Sequence, residues 1–110
     1  MEQHRHILDH ITTTIVARFD PRRVVLFGSR VRGEADDDSD YDIFVEMDSD
    51  KGRAQRSADV DLSLYPRSFS LDVVVYTPDE VQAFRGRAGS LVSLVEAEGE
   101  VLYERGQPSG

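Results

Sequence analysis

Read from the amino end, the apolar positions fall into alternating helical and strand periods. Ile7, Leu8, Ile11, Ile15 and Phe19 recur at three- to four-residue spacing with polar residues between them, one apolar stripe of a first helix. Asp20-Pro21 ends it, because a residue before proline is pushed out of the helical region. The branched run "RVVLF" (23–27) suits a buried strand, and Gly28 breaks it, with a short helix expected over 29–34. "YDIFVEM" (41–47) predicts a second strand, with Tyr41, Ile43, Val45 and Met47 on one face and Asp40, Asp42, Phe44 and Glu46 on the other. "LDVVVYT" (71–77) predicts a third.

The later segments follow the same alternation. Between the second and third strands Ala54, Ala58, Leu62 and Tyr65 form a weak helical stripe. Pro78 followed by Asp79 and Glu80 marks a helix start, since proline lacks a donor that the first turn does not need and acids favour that end. Leu91, Val92, Leu94 and Val95 predict another helix, stopped by Gly99, and "EVLYE" a last short strand. Strands alternating with helices make an α/β or α+β domain. At 110 residues a single domain over 1–105 is expected, with 106–110 as a frayed tail.

Composition narrows the chemistry. There is no cysteine, so disulfides, thiolate zinc sites and a cysteine nucleophile are excluded. No apolar run approaches the roughly 20 residues that span a bilayer, and "MEQHRHILDH" lacks a signal-peptide pattern, which makes the cytoplasm the default location and a membrane partner unexpected. The formal charge of -8 is unevenly spread. Residues 34–50 carry nine acids and no Lys or Arg, leaving twelve acids against thirteen bases elsewhere. Such a patch repels phosphate backbones, so direct nucleic-acid binding is not expected, and it attracts cations.

Asp40 and Asp42, two apart on a strand, leave the same face with Cα atoms roughly 6–7 Å apart. A pair so placed can bracket a hard divalent cation such as Mg²⁺, or it can sit on a solvated strand edge. Gly28 and Ser29 change that balance, because a tight turn opening a helix offers backbone N–H groups and a hydroxyl to a phosphate. An anion site and a cation site on consecutive strands are what a nucleoside triphosphate with Mg²⁺ needs. Asp72 is the one charge inside "LDVVVY"; burying it unpaired would be costly, while at the strand's entrance it could point to water.

Gly28-Ser29, ten residues, then Asp40-Tyr41-Asp42 resembles the GS-x10-DxD signature of the DNA polymerase β-like nucleotidyltransferases. "GSRVRGEADDDSDYDIFV" is similar to their minimal group, which includes antitoxins paired with HEPN-domain toxins, and "LDVVVYTPDEV" to that group's third-carboxylate strand. The resemblance implies a small mixed sheet of about four strands flanked by helices, and transfer of a nucleoside monophosphate from its triphosphate, with ATP as substrate. It implies that Asp40 and Asp42 ligate two Mg²⁺ ions, that Asp72 completes the second site and helps deprotonate the acceptor, and that Gly28 and Ser29 hold the β- and γ-phosphates. For Arg30 and Arg32 it implies only a looser phosphate contact. The expected partner is a HEPN-type RNase toxin in a hetero-oligomer, modified on a tyrosine, since a chain of this length leaves no room for a separate acceptor domain. Two rivals stand beside this: a module that neutralises its partner by contact alone, and a transferase with a small-molecule acceptor.

The remaining polar features read as ordinary surface. Asp36, Asp37 and Asp38 exceed what two metals need and read as a solubilising loop. His4, His6 and His10 read as incidental histidines on the first helix, although His6 and His10 have the i, i+4 spacing of a metal pair. Tyr65, Tyr76 and Tyr103 read as core or rim aromatics.

Overall fold

The computed structural model describes residues 2–106, so that of the expected tail only Gly106 lies within the described residues. Elements run α1 Glu2–Phe19, β1 Arg23–Phe27, α2 Ser29–Arg32, β2 Tyr41–Glu46, α3 Arg53–Ser63, β3 Leu71–Tyr76, α4 Pro78–Phe84, α5 Leu91–Glu98 and β4 Glu100–Glu104. The four strands form one mixed sheet in the order β3-β2-β1-β4. β1 is antiparallel to both β2 and β4, and β2 is parallel to β3. A parallel pair needs a crossover, which α3 supplies.

Both faces of the sheet are covered. Odd positions of β2 (Tyr41, Ile43, Val45) join Leu8, Ile11 and Ile15 of α1 and Val60 of α3 in the larger core. Phe44, on the even side, is fully buried with Val25, Tyr76, Val81, Val92 and Val95 under α4 and α5. Each such aliphatic side chain contributes roughly 1.5–3 kcal/mol by leaving water.

The helix boundaries follow local chemistry. Asp20 takes a left-handed φ of 49°, a conformation aspartate tolerates better than most residues, and turns the chain into Pro21. Thr77 caps α4: its hydroxyl accepts the Glu80 N–H at 3.3 Å, and the Glu80 carboxylate accepts the Thr77 N–H at 2.9 Å.

One predicted face is wrong. α3 forms, but Leu62 and Tyr65 stand 65% and 56% exposed, and the buried face is Arg56, Val60 and Leu64. Arg56 goes inward because Glu80 meets it at 2.7 Å and the carbonyls of Lys51 and Val75 accept its other N–H groups. A buried guanidinium so satisfied can occupy a core-facing position, and hydrophobic periodicity is blind to it. Among the described residues no helix is long and apolar enough to cross a membrane.

Candidate active site

Strand direction gathers the candidate residues. β1 ends where β2 and β3 begin, so Gly28, Asp40, Asp42 and Asp72 share one end of the sheet. In the ladder Phe27 stands opposite Asp42, and Asp42 opposite Asp72. Parallel neighbours are about 4.8 Å apart, so the last two carboxylates leave adjacent strands on the same face.

Gly28, directly after Phe27, has φ 83° and ψ −152°, a region that side chains other than hydrogen avoid. A Cβ added there would collide with Asp42 Oδ2. The turn backbone and the carboxylate therefore occupy one cradle, which only glycine leaves open. The Gly28 carbonyl accepts the N–H groups of Val31 and Arg32 at 3.1 and 3.2 Å, starting α2, while the first N–H groups of the helix have no partner within it. Gly33, at φ 78°, closes the turn.

Asp42 is half-buried, and its pKa is raised, first by burial and then by Asp72 and Asp40, with Arg32 and Arg30 opposing. Asp40 and Asp72 are exposed. The expected cost of burying Asp72 thus does not arise, because the first residues of β3 lie at the open end of the sheet beyond the core. The reason to single it out is its register with Asp42. As they stand, the described residues contain no group of three acids or histidines closed around an ion position. The donors fit a hard divalent cation in kind: oxygen ligands on one edge, one of them held at raised energy by burial and by like charge.

The two arginines are turned elsewhere. Arg32 meets Glu34 at 2.9 Å and Glu98 of α5 at 3.1 Å. Arg30 donates to the Ser39 carbonyl at 2.6 Å and lies 3.9 Å over the Tyr41 ring. The acidic loop is also more structured than a solubilising run. Asp36 Oδ1 accepts the Asp38 N–H at 2.9 Å and the Ser39 hydroxyl at 3.2 Å, an Asx-type turn that shapes the approach to Asp40.

Sequence reasoning missed His4, which is no incidental surface residue. Its Nδ1 is 2.6 Å from the Tyr41 hydroxyl, and its Nε2 is 3.6 Å from Asp37. No spacing rule could have found it, since the partners are 37 positions apart. A cleft of about 400 Å³, lined by His4, Arg30, Ser39, Tyr41, Phe69 and Ser70 among others, opens beside this cluster. Of the tyrosines, Tyr76 is buried and stacks on Phe44, Tyr103 packs against the larger core, and Tyr65 is exposed beneath Arg67.

The family model described as "Polymerase beta, Nucleotidyltransferase" matches residues 9–107. No curated protein matches the chain. With nearly the whole chain matched and a four-stranded mixed sheet of the same kind in place, this is a nucleotidyltransferase: the chain belongs to the polymerase β nucleotidyltransferase family, which uses nucleoside triphosphates and divalent metal ions.

Proposed function

We propose that this nucleotidyltransferase moves AMP from ATP to a hydroxyl of a partner protein, acting as an antitoxin that modifies a tyrosine of a HEPN-type RNase toxin. The observation that carries the transfer reading is the shared cradle of Gly28 and Asp42, with Asp72 in register beside it. The nine acids of residues 34–50 favour a protein acceptor over a polynucleotide. The likeness of "GSRVRGEADDDSDYDIFV" to the minimal group supports the toxin as that protein.

In this reading Gly28 and Ser29 receive the β- and γ-phosphates, and Asp40, Asp42 and Asp72 hold two Mg²⁺ ions. Bound there, Mg²⁺ would neutralise phosphate charge and lower the pKa of the acceptor hydroxyl. Asp72 takes the proton of that hydroxyl, whose oxygen attacks the α-phosphorus. The bond from the α-phosphorus to the bridging oxygen breaks, and pyrophosphate leaves from the Gly28–Ser29 side. The half-buried Asp42 must be ionised to take part.

The test is incubation of the chain with ATP, Mg²⁺ and a co-encoded HEPN protein, followed by mass spectrometry. The expected result is a gain of one AMP on a tyrosine of the partner, absent with Asp40→Asn/Asp42→Asn. If the partner gains no nucleotide and the double variant still neutralises it, transfer is not how this chain acts, and neutralisation by contact takes its place.

A further inference from the structure

We propose that Arg30 is a positioning residue for Asp40, not a contact for the triphosphate. The inference rests on the reading of Asp40 as a metal ligand and concerns how that ligand is held. Asp40 is exposed, precedes β2, and lies at the end of an acidic loop whose like charges push it outward. Something must fix it, and Arg30 grips both of its neighbours. Nη2 donates to the Ser39 carbonyl at 2.6 Å, with a longer 3.5 Å contact to the Asp37 carbonyl. The guanidinium plane lies 3.9 Å over the ring of Tyr41, on the other side of Asp40.

The remaining nitrogens are turned toward the protein. Nε is covered from solvent and has no partner, so no phosphate oxygen reaches it without movement. Nη1 faces His4 Nδ1 at 3.5 Å. The same His4 nitrogen meets the Tyr41 hydroxyl at 2.6 Å, so Arg30, His4 and Tyr41 form one cluster. His4 Nε2 faces Asp37 at 3.6 Å. One arginine thus ties the first turn of α1, the acidic loop and the start of β2 together around Asp40. A buried donor left unsatisfied is costly and calls for an explanation, and holding a catalytic segment in place is one. Because Arg30 directly follows Gly28-Ser29, it also couples the phosphate-side turn to the carboxylate strand.

The test uses Mn²⁺ alone, titrated into the metal-free full chain and followed by electron paramagnetic resonance, with ATP binding measured separately in EDTA. Arg30→Met should weaken Mn²⁺ binding about tenfold, since ligand placement by surrounding groups commonly carries that factor, and leave metal-free ATP binding unchanged. Arg30→Lys, which cannot stack or fork, should recover only part. His4→Ala, which removes the outer support, should weaken Mn²⁺ binding less than Arg30→Met and serves if that variant does not fold. Wild-type Mn²⁺ affinity in both Arg30 variants and His4→Ala, or a tenfold loss of metal-free ATP binding in Arg30→Met with Mn²⁺ binding intact, would overturn the proposal. If Asp42→Asn also binds Mn²⁺ like the wild type, it is the carboxylate reading that fails, a result separable from the first because Arg30 is unaltered in that variant.

Discussion

The two ends of this one sheet carry similar numbers of charges and treat them oppositely. At the end formed by the start of β1 and the close of β2, Arg23 meets Glu46 at 2.9 Å and Glu96 at 3.3 Å, and Arg85 meets Glu96 at 2.7 Å. The Arg23 and Glu46 side chains are only 13% exposed, and each charge has its opposite. At the other end Asp40, Asp42 and Asp72 take part in none of the ion pairs among the described residues. The nearby arginines, Arg30 and Arg32, are spent on a carbonyl, a ring and two glutamates. One end is neutralised by the protein itself; the other is left for something outside the protein to neutralise. Uncompensated like charge is a mark of a site that binds, since it works against the fold that contains it.

The largest effect that should separate the ends is Asp42→Asn. Nucleotidyl transfer should fall by about a thousandfold, roughly 4 kcal/mol of transition-state stabilisation. The same change should raise the melting temperature of the metal-free protein at neutral pH, because it removes an ionised carboxylate held at raised pKa. Arg23→Met makes the opposite trade at the paired end. Leaving Glu46 without its partner, and Glu96 with Arg85 alone, should cost about 3 kcal/mol, seen as a fall of more than about 10 °C in melting, with transfer per folded molecule unchanged well below that temperature.

Gly28→Ala tests the cradle itself. Its Cβ displaces the Asp42 carboxylate in a backbone conformation that disfavours any side chain, so activity should drop about a hundredfold. Stability should fall by about 1–3 kcal/mol, measured by urea denaturation. The smallest effect is a pH signature with opposite sign at the two ends. Burial, with Asp72 and Asp40, holds Asp42 above its ordinary value, so its contribution to stability is complete below the unfolded pKa and is lost as pH rises through the folded one. The hydrogen bond from Arg85 holds Glu96 below its ordinary value, so its contribution is present above the unfolded pKa and is lost as pH falls through the folded one. Melting curves from pH 3 to 7 should therefore show Asp42→Asn gaining on the wild type as pH rises, and Glu96→Gln losing ground over the same interval.

The two ends also differ in how far the sequence reveals them. The open end is local and patterned: Gly28-Ser29 and Asp40-x-Asp42 sit beside their own strand signals, and Asp72 is the second residue of a third. The order of strands follows less readily, because nothing local says that β2 pairs in parallel with β3. The paired end is invisible to pattern, since Arg23, Glu46 and Glu96 belong to three different elements, Arg85 follows a fourth, and they meet only after folding. The same blindness hid Arg56 inside α3, reversing the expected face of that helix, and hid His4 against Tyr41. Asp72 was singled out for a cost of burial that its exposure removes; its register with Asp42 is a property of the sheet.

The claim on which this account turns is that the open end is left charged in order to hold a divalent cation with a triphosphate. Melting of the wild type and of Asp42→Asn, each with and without Mg²⁺ and a non-hydrolysable ATP analogue, tests it directly. At about a hundredfold excess over the dissociation constant, the wild type should gain roughly 2.7 kcal/mol, a rise on the order of 10 °C, and Asp42→Asn should gain almost nothing. An equal rise in both, or none in the wild type, would contradict it.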